Sequence, residues 1–305
     1  MMPSALTRTN EFKTQPLFTF FNIEEMQDSN MKAIPNNPKG FTLVEMLVAM
    51  AAGLVVMIAI YTAYINHQRS HVTQQLVVDM QQNVRAAMSV MKREIRMMGY
   101  DPAASDGVDN DANSTIDDES SLAGIITAEY DDSSGISVIR FSADLNYDWN
   151  VVGDEDITYT LVGTELQRNG QIVAYDIEAV GFAYAFDDDD DGELDQSGGG
   201  NIIWAIDSNL GDDKLDTLLD TDDDGIIDEN DTEGGANLAG QVDLDKIRAV
   251  RIWLLARTRY PIKGHTDNET YVVGANHRDP TDPDWDPHKK RVLLTTTVYC
   301  RNMGI

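Results

Sequence analysis

Residues 38–45 read Pro38-Lys39-Gly40-Phe41-Thr42-Leu43-Val44-Glu45, and an uncharged run of 21 residues from Met46 to Asn66 follows them. As a helix, a run of that length crosses a hydrocarbon core of roughly 30 Å. Glu45 is the exception at its edge. A carboxylate there is costly, so it calls for a function and a partner. Working outward, Val72, Leu76, Met80, Val84, Met88, Met91, Ile95 and Met98 recur at three- and four-residue steps, the stripe of an amphipathic helix. Gly99 stands where that helix would stop, and Pro102 where it could not continue. The first half is apolar on nearly all sides and the second half on one stripe, which suits packing against a lobe. His67 and His71 share a face but have no third ligand close in sequence.

After Gly99 the period changes to two. Ile157, Tyr159 and Leu161 alternate with polar neighbours, as do Val180, Phe182, Tyr184 and Phe186, then Val250, Ile252 and Leu254. Val292, Leu294, Thr296 and Val298 repeat the pattern. Gly163-Thr164 and Asn169-Gly170 are turn candidates, the second a strong hairpin signal. The fold class read from these patterns is α+β: one long N-terminal helix on an antiparallel β-sheet lobe.

The order of features at the start argues against an ordinary secretory signal, whose cleavage site comes after a shorter apolar core. Here the distinctive stretch precedes the core. Lys39-Gly40-Phe41-Thr42-Leu43-Val44-Glu45 resembles the processing site of type IV prepilins and type II secretion pseudopilins. The resemblance implies cleavage between Gly40 and Phe41 by a membrane prepilin peptidase, and N-methylation of Phe41. It also implies that Glu45 meets the amino-terminal charge of a neighbouring subunit during assembly. Residues 1–40 would then be a leader, 41–99 the transmembrane and filament-core helix, and 100–305 the β-rich lobe. Met31 to Gly40 alone would make a short basic leader, so translation starting at Met31 is a second expectation.

Two later segments, Lys246 to Arg257 and Arg291 to Met303, resemble the PilW group of large minor pilins, and the whole pattern resembles the pilin fold. That implies a structural, non-enzymatic subunit partnered by other minor and major pilins and by an inner-membrane assembly platform. It would be stored in the inner membrane with its lobe in the periplasm, then carried to the pilus tip to prime or cap the filament. The alternatives are a secretion pseudopilin of the GspJ type and a calcium-dependent adhesin on a pilin stem.

The net charge is −29, and residues 1–40 hold four basic and four acidic side chains, so the deficit lies beyond them. Such a chain is a poor passive binder of nucleic acid, which needs lysine and arginine. It suits a solvated or cation-loaded surface. The single Cys300 cannot form an internal disulfide and reads as an inert strand residue.

The acids concentrate in insertions at about 106–120 and 187–235. In the clearest, Asp220, Asp222, Asp224, Asp228 and Asp231 occupy positions 1, 3, 5, 9 and 12 of an EF-hand-type loop. Gly225 holds position 6, and Ile226 offers its main-chain carbonyl at position 7. In the second, Asp187, Asp189, Asp191, Gly192, Leu194 and Asp195 fit positions 1, 3, 5, 6, 8 and 9, with Glu193 a further candidate ligand, but Gly198 occupies position 12. The third, Asp109, Asp111, Asn113, Thr115 and Asp117, has the donor spacing without the glycine. All-oxygen donors suit calcium in a structural role rather than zinc or copper. Five consecutive aspartates, Asp187 to Asp191, would repel one another strongly without a counterion. No phosphate-binding glycine loop, nucleophile elbow or zinc-protease helix is present. The sequons at Asn113, Asn230 and Asn268 are at the level expected by chance.

Overall fold

The computed structural model describes residues 40–100, 124–131, 133–144, 146 and 153–303. The chain divides into one unit ending at Tyr61 and a second beginning at Thr62. In the first unit, helix α1 (Leu43–Met97) begins, and Leu47, Val48, Met50 and Val56, which point to different sides of it, are all exposed. It is long and apolar enough to cross a membrane.

In the second unit α1 becomes amphipathic, and Met80, Val84, Ala87, Met88, Met91 and Ile95 are buried. The predicted stripe holds from Met80 onward; Val72 is exposed, and Leu76 only partly covered. The helix ends one residue before Met98, and Gly99 takes φ +74°, a left-handed stop suited to glycine. The Asn302 side-chain amide donates to the carbonyls of Met97 and Met98, both at 3.4 Å, which satisfies groups that the helix leaves unpaired.

Two antiparallel sheets build the lobe. The smaller joins β1 (Ile125–Thr127), β4 (Ile139–Ser142), β5 (Asp156–Val162), β6 (Glu165–Arg168) and β7 (Gln171–Tyr175), in that order. Between β1 and β4 runs the small hairpin β2 (Tyr130–Asp131) and β3 (Ile136–Ser137). Gly163-Thr164 and Asn169-Gly170 are the two tight turns of the smaller sheet. Asn169 and Gly170 have φ +50° and +75°, the paired positive angles of the favoured hairpin turn.

The larger sheet contains β8 (Ile177–Phe186), β9 (Ala205–Ile206), β10 (Lys214–Leu218), β11 (Ala236–Asp243) and β12 (Ile247–Arg257). After the hairpin of β13 (Tyr271–Val273) and β14 (Asn276–Arg278), β15 (Arg291–Tyr299) completes it, in the order β11-β10-β9-β8-β12-β15. Its central strand β8 is buried along its whole length. The alternation read there is therefore large against small, not buried against exposed. Val180, Phe182, Tyr184 and Phe186 face the core shared with α1 and the smaller sheet. Ala179, Ala183 and Ala185 face a second core with Trp204, Trp253, Val273 and Ala275. Gly181 has no room for more: a Cβ there would lie 2.6 Å from the Val273 carbonyl oxygen. Cys300 is buried and free just beyond β15, where burial pushes its thiol up to about 12.

Charged pairs tie the layers together. Arg168 on β6 donates to Glu94 of α1 at 2.9 Å, and the Tyr159 hydroxyl donates to the same carboxylate. Arg291 makes a two-pronged bond to Glu178, at 2.6 and 2.9 Å, with both side chains buried.

Candidate functional site

The start of α1 is a capping box built from Thr42 and Glu45. The Thr42 hydroxyl accepts the Glu45 backbone N–H at 3.2 Å, and the Glu45 carboxylate accepts the Thr42 backbone N–H at 3.0 Å and its hydroxyl at 3.1 Å. Glu45 thus has a partner inside its own chain, which the sequence reading missed although the T-x-x-E spacing carries it. Gly40 lies just outside the helix, exposed, with nothing among the described residues within 4 Å of where a Cβ would stand.

The acidic loops form the second candidate region. Loop 1 follows β8 and loop 2 follows β10. Tyr184, Ala205 and Leu218 stand in register across β8, β9 and β10, so both loops leave the same end of the larger sheet's strands. Their backbones are nearly superposable in their bonds. In loop 1 the Asp191 and Gly192 N–H groups donate to Asp187, each at 3.1 Å, and the Glu193 N–H donates to Asp191 at 2.8 Å. In loop 2 the Asp224 and Gly225 N–H groups donate to Asp220 at 3.2 and 2.8 Å, and the Ile226 N–H donates to Asp224 at 2.8 Å. Asp190 and Asp223 are left-handed at φ +58° and +61°, and Gly192 and Gly225 at +86° and +87°. The turn at position 6 therefore needs glycine in both.

This geometry gathers Asp187, Asp189 and Asp191 so that one oxygen from each lies within 4.8 Å of the others, and likewise Asp220, Asp222 and Asp224. Either triad could hold a metal ion. The remaining expected ligands do other work. Asp231 accepts the N–H of Thr221 at 2.6 Å and of Asp228 at 2.9 Å, closing loop 2 on itself. In loop 1, where Gly198 has no side chain, Asp195 takes that closing role by accepting the Asp188 N–H at 3.1 Å. The Asp228 carboxylate accepts the Asn230 N–H at 2.7 Å. The stretch Asp109, Asp111, Asn113, Thr115 and Asp117 lies outside the described residues.

Electrostatics separates the two loops. Lys246 pairs with Asp190 at 2.5 Å, and the buried Arg248 lies 3.6 Å from Asp190 and 4.0 Å from Asp187. The run of five aspartates therefore has part of its counter-charge supplied by Lys246, just before β12, and Arg248 on it. That revises the argument that repulsion alone requires a divalent ion there. The Lys246 hydrogen bond holds Asp190 below the usual carboxylate range, whereas burial, with Asp189, Asp188 and Asp187 nearby, pushes Asp195 up. No ion pair reaches Asp220, Asp222 or Asp224 among the described residues. Desolvation and the charges of Asp224, Asp231 and Asp220 raise Asp222. The loops are also latched together: the Asp223 carboxylate accepts from the Ser197 hydroxyl, the Gly199 N–H and the Asn201 amide. Sequence spacing gave no sign of this latch. Nor did it mark Lys246, just before β12, and Arg248, on β12, as the partners of loop 1.

Two family profiles match the chain. The prokaryotic N-terminal methylation motif matches residues 35–61, and the type IV pilus-assembly protein W profile matches residues 154–302. The chain is a PilW-type member of the type IV pilin family. The PilW match runs across both acidic loops as well as the closing strands that carried the resemblance in sequence. PilW-type pilins are structural, non-enzymatic proteins, so the motif at Gly40 and the apolar half of α1 mark a membrane-anchored minor pilin. Among solved structures, a type IV-like pilin from Thermus thermophilus is similar at 12% identity and a TM-score of 0.37. The similarity covers 74% of this chain and all of that one. No curated protein sequence matches the pilin.

Proposed function

We propose that this minor pilin is cut between Gly40 and Phe41, methylated on Phe41, and assembled at or near the pilus tip, where it primes the filament. The observation that carries the reading is the match of residues 35–61 to the N-terminal methylation motif. Gly40 stands exposed within it, just before the Thr42–Glu45 cap, where a peptidase adapted to glycine would reach it. Residues 41–99 would then be the membrane and filament-core helix. The inner-membrane assembly platform and the other pilins would be its partners, with the lobe periplasmic until extrusion.

Calcium belongs to the same reading. The triads at Asp220 and Asp187 offer hard oxygen donors on loops whose backbones are already set, and external calcium is abundant enough for sites of millimolar affinity. In this role the ion is structural. It neutralises the acids and stiffens that end of the larger sheet.

The test is a deletion strain complemented with a tagged chain. Priming predicts few surface pili in the deletion, with the major pilin retained in the membrane, and a tag present at a few copies per filament. Loss of protein secretion with pili intact would assign the chain to a secretion pseudopilus instead. A tag distributed along the whole filament would overturn the tip assignment.

A further inference from the structure

Asp207 follows β9 and is joined to Glu129 by a parallel bridge, with the Tyr130 N–H donating to its backbone carbonyl at 2.8 Å. Its side chain is fully buried, yet neither carboxylate oxygen has a hydrogen-bond partner. The Tyr184 hydroxyl is also buried and unpartnered. Tyr184 pairs with Ala205, two residues before Asp207, so the two side chains rise from the same face of the sheet.

The surroundings increase the anomaly. Asp212, Asp216 and Glu129 all add negative charge around Asp207, and the Asn209 backbone N–H facing it falls short of hydrogen-bond geometry. The nearby donors are committed elsewhere. Ser208 donates twice to Asp216, at 3.0 and 3.1 Å, and Asn209 and Gln241 donate to Asp212 at 2.5 and 3.1 Å. Lys214, the nearest cation in sequence, pairs with Asp243 at 2.8 Å. Among the described residues no ion pair reaches Asp207, Asp212, Asp216 or Glu129.

A buried carboxylate with both oxygens idle is not stable as a bare anion. It takes a proton or a cation. Three further carboxylates and a free hydroxyl favour the doubly charged occupant, and a donor set of oxygen alone suits a hard ion. We infer that Asp207 anchors a separate site for a hard divalent cation, with Tyr184 facing it and Asp212, Asp216 and Glu129 supplying the surrounding charge. The Ser208–Asp213 turn would cover the ion. The site shares no residue with either aspartate triad.

Equilibrium dialysis of the detergent-solubilised full chain against millimolar calcium, with Asp207→Asn beside wild type, tests this. The substitution should lower bound calcium by one ion per chain. The same loss should follow where the loops are disabled by Asp187→Asn, Asp191→Asn, Asp220→Asn and Asp224→Asn, so failure of the loop reading is seen separately. Asp212→Asn should keep the ion but weaken it several-fold. In chelator Asp207→Asn should melt no lower than wild type, since the amide replaces an unpaired acid without changing shape. Unchanged calcium stoichiometry in Asp207→Asn would overturn the site and leave the proton as the occupant.

Discussion

Glu45 carries two demands that one substitution can separate. Its capping role needs a side chain that accepts the Thr42 N–H, whereas its proposed assembly role needs a negative charge against a neighbour's amino terminus. Glu45→Gln keeps the acceptor and loses the charge; Glu45→Ala loses both. If charge governs docking, both variants should be processed and membrane-inserted yet nearly absent from sheared pili. Incorporation of the Gln variant at wild-type levels would reduce Glu45 to a cap. At the same scale, burial and the charges of Asp212, Asp216 and Glu129 push Asp207 up to about 7, against an ordinary value of 3.8. Between those values the folded chain keeps a proton that the unfolded chain has lost, so stability falls as pH rises. In chelator, the melting temperature attributable to Asp207 should decline from about pH 4 to pH 7, and the decline should vanish in Asp207→Asn.

For the elements, the two acidic loops are alike in backbone and unlike in charge. Lys246 and Arg248 pair directly with loop 1, whereas among the described residues no ion pair reaches loop 2, and Arg251 acts on Asp220 only at longer range. Loop 2 should therefore be the tighter calcium site. At ten times its Kd, calcium should add about 1.4 kcal/mol per site. That is a shift of about 3 to 6 °C in the melting of a lobe this size. Asp220→Asn with Asp224→Asn should remove more of the shift than Asp187→Asn with Asp191→Asn. Lys246→Ala should strengthen loop 1 by exposing its charge. A wild-type melt that does not move in millimolar calcium would end the calcium reading for both loops. The central strand makes a packing prediction. Gly181→Ala would place a methyl 2.6 Å from the Val273 carbonyl oxygen, displacing the β13–β14 hairpin at a cost of about 1–3 kcal/mol in urea unfolding.

Across the whole molecule, the larger sheet is closed near one end by a buried ion cluster. Arg291 and Arg257 converge on Glu178, and Asp267 takes the remaining charge of Arg291 at 3.3 Å. The Arg291 guanidinium also stacks 3.3 Å above the Trp285 ring. Glu178→Ala would leave Arg291 with Asp267 as its remaining ion pair and Arg257 with none among the described residues, so urea unfolding should show a loss of about 3–5 kcal/mol. Replacing the pair together with apolar residues should cost much less.

The sequence by itself determined the helix, its apolar and amphipathic halves, the strand-rich lobe, both short turns and the position-6 glycines. Each rests on local rules: a repeat of 3.6 or 2, a cap, or a backbone angle that only glycine adopts cheaply. The resemblance to pilins was legible for the same reason, because its motif is a contiguous stretch. Only the tertiary structure decided that β8 is covered on both faces, that Lys246 and Arg248 neutralise loop 1, that Asp223 latches the loops, and that Asp207 is sealed in without a partner. Those features join residues tens of positions apart. Burial and electrostatics depend on what arrives from elsewhere in the chain, and no local pattern records that.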